Sequence, residues 1–178
     1  MRIIGALIRL GEKARAQDLI DRFLRDRRPA AWNEWAEVVG RDLRQPRFIG
    51  DMPHAWIGSD FIRSILDCFA YDREDGALVI GARVPRRWIE GGVLHVGPLP
   101  TYHGSIDITM RAPSADRIEI DLSGEARGRL IVHPPDDRPI RVATIDGHAA
   151  EFTDGQVVVA RLPAHVILRY ARVVIDDQ

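Results

Sequence analysis

Ser105-Ile106-Asp107-Ile108-Thr109-Met110-Arg111 alternates polar and apolar residues, and a period of two marks a strand with one face buried and the other in water. Ile118-Glu119-Ile120-Asp121-Leu122 repeats the pattern a few residues later, so the two runs read as half-buried strands of the antiparallel type. Shorter β segments follow at Leu130-Ile131-Val132, Ile140-Arg141-Val142, Val157-Val158-Val159 and Val166-Ile167-Leu168. Pro134-Pro135, Asp146-Gly147 and Asp154-Gly155 separate them as turn signals. Many short strands at close spacing predict a β-sandwich.

Upstream of Asp75-Gly76 the period is helical instead. Ile3, Ile4, Leu7 and Ile8 form one stripe, and Ala16, Leu19, Ile20, Phe23 and Leu24 form a second. Gly11 separates these two helices, and Pro29 ends the second by Arg28, because proline restricts the residue before it. A short helix is expected over 31–39, followed by a loop from Gly40 to Pro53. The next helix runs from about His54 to Phe69 on the stripe Ile57, Phe61, Ile62, Ile65, Leu66 and Phe69. The expected class is therefore α+β, with a helical part over residues 1–75 and an antiparallel β-sandwich over residues 76–178.

Composition removes several function classes. Of the 178 residues 46% are hydrophobic, which suits a soluble globular chain with one ordinary core or two small ones. The 25 Lys plus Arg against 26 Asp plus Glu give a net charge of -1, so no basic field draws the chain to nucleic acid or to an anionic membrane. The apolar run at Met1–Arg9 is too short for a secretory leader, no segment approaches a membrane span, and localisation stays open. The single cysteine, Cys68, sits on an apolar run and reads as a small buried hydrophobe. The six histidines show no HxxxH or HExxH spacing, so neither a metal nor another cofactor is expected. Gly124-Glu125-Ala126-Arg127-Gly128 does not follow a strand and open a helix as a phosphate loop must, and it reads as a turn.

The densest chemical signal lies in the helical part. Trp32-Asn33-Glu34-Trp35-Ala36-Glu37 and Asp51-Met52-Pro53-His54-Ala55-Trp56 hold three of the four tryptophans, and aromatic faces beside carboxylates suit a sugar-handling site. These two stretches resemble the closing hairpins of six-hairpin, (α/α)6-barrel glycosidases, the superfamily of α-L-rhamnosidases, glucoamylases and glycoside phosphorylases. The first is similar to the family's carboxylate-bearing loop, and the second to the opening of its closing helix. Leu78-Val79-Ile80-Gly81-Ala82-Arg83-Val84-Pro85-Arg86-Arg87-Trp88 resembles the passage into a C-terminal sandwich. Leu99-Pro100-Thr101-Tyr102-His103-Gly104 resembles a short connection between sandwich strands. The earlier helices of the barrel, with the region of the general acid, have no counterpart in the chain.

The resemblance implies roles residue by residue. Glu37, by its distance before Trp56, matches the general base, and Glu34 is the alternative. Trp32, Trp35 and Trp56 would stack on pyranose faces, while Asp51 and His54 would hydrogen-bond sugar hydroxyls. Inverting glycosidases need two carboxyl groups roughly 6.5–9.5 Å apart. Glu34 and Glu37, three apart on a helix, would stand closer than that and suit one base with a sugar-binding neighbour. Each residue also has a structural reading: the tryptophans as packing residues, Glu34 as a partner of Arg41 or Arg44, and Asp51 as an N-cap.

Four short helices make a thin core, and the first begins with its stripe already running and no N-cap before it. The helices are accordingly expected to complete a core with other structure: the sandwich, a second copy of the chain, or the remainder of an (α/α)6 barrel. The leading expectation is the C-terminal fragment of a six-hairpin glycoside hydrolase-like protein, inactive alone. The alternatives are a carbohydrate-binding sandwich using Trp88, Tyr102 or Tyr170, and an oligomerisation or interaction domain.

Overall fold

Helix α1 (Arg2–Arg9) turns into α2 (Lys13–Arg25) at a glycine that the geometry requires. Gly11 has φ +82, its N–H donates to the Ile8 carbonyl at 3.2 Å, and the Glu12 N–H donates to the Leu7 carbonyl at 2.9 Å. This pair of bonds is a Schellman motif, whose left-handed residue favours glycine because it has no Cβ to clash. The computed structural model describes residues 1–27, 31, 34–40, 42, 50–82, 84–135 and 138–171. The chain divides into two compact units, Met1–Asp67 and Cys68–Gln178.

In the first unit, Ile4, Leu7 and Ile8 of α1 and Ala16 and Ile20 of α2 are buried, whereas Ile3 and Leu24, expected on the same stripes, are 66% and 43% exposed. Helix α3 (Ala55–Phe69) runs beside α1 on a ladder of polar contacts. Arg2 Nε lies 2.9 Å from Asp60 Oδ2, and Arg9 lies 3.1 Å from Asp67 Oδ1. Between those pairs Ser64 Oγ lies 3.2 Å from the Met1 carbonyl, and 2.7 Å from the Asp60 carbonyl of its own helix. Gly5 sits at the same crossing, where an added Cβ would stand 2.8 Å from Asp67 Oδ2. One correction concerns α3: Ile62, expected on the buried stripe, is 58% exposed.

A second correction concerns the helix expected over 31–39. The described residues 34–40 are not helical. They run antiparallel to 50–54, with the Glu37 N–H donating to the Asp51 carbonyl at 3.0 Å, the Gly50 N–H to Val38 at 2.8 Å and the His54 N–H to Trp35 at 2.8 Å. Pairing with a distant segment satisfies these backbone groups as well as a helix would, and Val38-Val39-Gly40 is a poor helical stretch.

The second unit is an antiparallel-dominated β-sandwich, so the chain is α+β as the period change predicts. Its strands are β1 (Ala70–Asp72), β2 (Ala77–Ile80), β3 (Val93–Thr101), β4 (Gly104–Ser114), β5 (Arg117–Gly124), β6 (Arg129–Val132), β7 (Ile140–Ile145), β8 (His148–Ala149), β9 (Phe152–Thr153), β10 (Gln156–Val159) and β11 (Ala164–Tyr170). Among the described residues they form a five-stranded sheet ordered β1-β2-β6-β10-β9 and a six-stranded sheet ordered β3-β4-β5-β11-β7-β8. Among these eleven strands β2 and β6 are the one parallel pair.

Register carries the alternating pattern into the core. Met110 faces Ile120, which faces Val166, and Ile108 faces Leu122, which faces Ala164. Ile108, Met110, Ile120 and Val166 are buried, while the opposite face of the same strands is charged. There Arg111 and Arg117 both pair with Glu119, and Asp121 pairs with His165. This satisfies the carboxylate of Glu119, which is itself buried. The two sheets meet closely, since a Cβ placed on Gly81 would lie 2.5 Å from Met110 Cε.

Turns follow the sequence signals. Asp146-Gly147 joins β7 to β8 and Asp154-Gly155 joins β9 to β10, all four residues having positive φ, the requirement of a two-residue type I′ hairpin. At the β1–β2 turn, Arg73 donates to both Asp75 oxygens at 2.8 and 2.6 Å. That hydrogen bond, with the Ala77 N–H and the nearby Arg129, holds the Asp75 carboxyl down at about 2. Strand β3 is the longest strand the sequence leaves unread, because Pro98 and Pro100 interrupt it; the short β1, β2, β8 and β9 are unread as well. Strand β3 lies at the edge of its sheet, where a missing donor is tolerated.

Candidate functional site

The pairing of residues 35–38 with 50–54 brings the two tryptophan-bearing stretches together in the first unit. Glu37 and Asp51 stand across from each other, joined by the backbone bond of 3.0 Å. The Glu37 carboxylate leans toward the facing strand, since a Cβ on Gly50 would lie 3.6 Å from Glu37 Oε2. Glu34, Glu37 and Asp51 are all exposed, so each carboxylate is open to water or a ligand.

Because residues 34–40 are not helical, the expectation that Glu34 and Glu37 project to one side by helical spacing does not apply. Trp32, Arg41 and Arg44 lie outside the described residues, and so do any contacts of Glu34 with those two arginines. Trp35 is half-buried and packs on Phe61 of α3, with ring centroids 4.8 Å apart at 43°. That contact ties the stretch to α3 and fixes its height.

His54 and Trp56 are set by the start of α3. The Nδ1 of His54 accepts the N–H of Ile57 at 3.3 Å, so His54, not Asp51, occupies the capping role. A nitrogen that accepts carries no proton, so the ring hydrogen of His54 sits on Nε2, a donor with no partner among the described residues. One residue after Ala55, Trp56 is 60% exposed, with the Arg2 guanidinium 4.7 Å from its ring centroid. Arg2 is in turn held by Asp60, so one side of the indole is backed by a pinned cation.

The paired segments and the start of α3 carry two exposed carboxylates, an imidazole and an exposed indole. Such a set can hydrogen-bond hydroxyl groups and stack against a flat apolar face. Among the described residues, no three His, Cys, Asp or Glu are placed to hold a metal ion. Likewise, no described helix is long and apolar enough to cross a membrane.

In the sandwich, the three aromatics considered as a glycan surface part ways. Tyr170 is 3% exposed and Trp88 packs on Phe69 at 6.1 Å, leaving Tyr102 open at the β3–β4 turn. Burial of Tyr170 follows from its place on the inward face of β11, whose alternation the sequence carries.

No family model matches the sequence, and no curated protein matches it. Among solved structures the chain is similar to the crystal structure of Ara127N-Se, a GH127 beta-L-arabinofuranosidase from Geobacillus stearothermophilus T6, with a TM-score of 0.39 and 19% identity. The match covers 65% of this chain and 18% of that one. The chain thus spans less than a fifth of the length of that protein.

Proposed function

We propose that the chain is the C-terminal part of a six-hairpin glycoside hydrolase-like protein, in which the first unit supplies part of a carbohydrate cleft and the sandwich serves structure. The observation that carries this reading is the antiparallel pairing, with its Glu37 to Asp51 backbone bond of 3.0 Å. It joins the two stretches that resemble the family into one surface.

In this reading Glu37 is the general base, with Glu34 as the alternative, and takes a proton from the water that attacks the anomeric carbon. Asp51 accepts a sugar hydroxyl and the His54 Nε2–H donates to another. Trp56 stacks on a pyranose face, and Trp35 adds to the aromatic lining. Protonation of the leaving oxygen needs a second carboxyl group, and the reading assigns it to the remainder of the barrel.

Exposed apolar side chains in the first unit favour the same reading. Ile3 is 66%, Leu10 76% and Ile62 58% exposed, and neighbouring hairpins would cover them. The experiment is assembly. Joined to the upstream hairpins of an (α/α)6 barrel, the chain should release sugar from a panel of glycosides, whereas the chain alone should release none. Turnover by the chain alone contradicts the proposal.

A further inference from the structure

A cleft of about 710 Å³ opens at one end of the sandwich, where the β3–β4 turn, the 124–128 loop and the 160–162 loop converge. From it we infer a binding site for a small oxyanion, held by Arg127 and Arg161. The inference concerns the second unit alone and does not depend on the carbohydrate-cleft reading.

The loop is built to hold one shape. Gly104, Gly124 and Gly128 have φ of +111, +115 and +97, a backbone region that residues with a Cβ rarely adopt. A Cβ at Gly124 would stand 2.5 Å from the Ser105 carbonyl oxygen, and one at Gly104 would stand 2.9 Å from that of Glu125. Both glycines therefore permit close backbone approach as well as the turn.

Three further bonds fix what the glycines allow. The N–H groups of Glu125 and Ala126 donate to Ser105 O at 2.9 and 3.0 Å, and that of Arg127 donates to His103 O at 2.9 Å. The His103 Nδ1 donates back to the Arg127 carbonyl at 2.9 Å, and its Nε2 faces Asp72 at 3.4 Å. The backbone of Arg127 is thus tied on both sides, while its side chain stays exposed.

Charge decides the ligand class. Arg127 and Arg161 both line the cleft, and among the described residues neither guanidinium has an ion-pair or hydrogen-bond partner. That contrasts with Arg73, Arg86, Arg111 and Arg117 of the same unit, each of which pairs with a carboxylate. The exposed Glu125 is the one acidic residue in the lining, so two positive charges face one negative. A guanidinium presents parallel donors that match the two oxygens of a carboxylate or phosphate. The volume suits a monosaccharide-sized molecule, so the oxyanion is either the acidic group of a sugar or inorganic phosphate.

The test is titration calorimetry of the full chain with glucuronate, glucose 6-phosphate, inorganic phosphate and, as the neutral control, glucose. Saturable binding of at least one anion below about 10 mM is expected, with none for glucose. Binding of glucuronate or glucose 6-phosphate above phosphate assigns the ligand to an acidic sugar, and the reverse order assigns it to the free ion. Arg127→Ala and Arg161→Ala, both at exposed positions, should each weaken binding about tenfold, whereas Arg169→Ala on β11 should leave it unchanged. Absence of saturable binding by all three anions overturns the inference, as does binding that survives the double Arg127→Ala, Arg161→Ala variant.

Discussion

Replacing Glu37 with Gln in the assembled barrel protein is expected to lower kcat by about 10²–10⁴-fold while leaving the fold intact, the usual effect of losing a general base. Gln keeps the shape of Glu but cannot take the proton from water. The position is exposed and the pairing with Asp51 runs through backbone groups, so a stability loss would not account for the drop. Steady-state kinetics of Glu37→Gln and Glu34→Gln side by side separate the two candidates. If Glu34→Gln loses turnover and Glu37→Gln keeps it, the base is Glu34; if both keep it, neither carboxylate is the base.

The second large effect concerns stability. Ile120→Ala should destabilise the sandwich by about 2–5 kcal/mol, the range for removing a fully buried aliphatic side chain and leaving a cavity. Ile120 is 0% exposed and stands in the row between Met110 and Val166, inside the six-stranded sheet. Neither neighbouring strand can close over the gap without losing ladder hydrogen bonds, which places the cost well above that of an edge position. Denaturant unfolding monitored by circular dichroism measures it. A loss under about 1 kcal/mol would mean that this row is not a packed core.

Much of this fold is legible in the chain, for reasons that differ between elements. Ile106, Ile108 and Met110 announce β4 because one face of that strand is buried and the other carries charge, so the period of two survives in the sequence. The Asp-Gly turns are legible because positive φ at two successive residues restricts the choice of side chain. Strand β3 hides behind its prolines, which an edge position tolerates.

The candidate site is legible in residue type but not in geometry. Trp35, Glu37, Asp51, His54 and Trp56 stand out by chemistry, yet the local sequence around Glu37 reads as helix. What sets its conformation is a partner segment twelve or more residues away, and periodicity carries no information on such pairings. The capping role of His54 was hidden in the same way, since Asp51 is the better capping residue by type. No period or motif announces the cleft at Arg127 and Arg161, because it arises from three turns that converge only in space.

The most direct measurement of the central claim, that the paired stretches form one carbohydrate-facing surface, is a backbone and side-chain NMR titration of the full chain with a panel of neutral oligosaccharides. The expected result is a set of saturable shifts confined to Glu37, Asp51, His54 and the Trp56 indole N–H, abolished by Trp56→Ala. The contradicting result is no saturable shift at those residues at any sugar, or shifts that fall only in the sandwich.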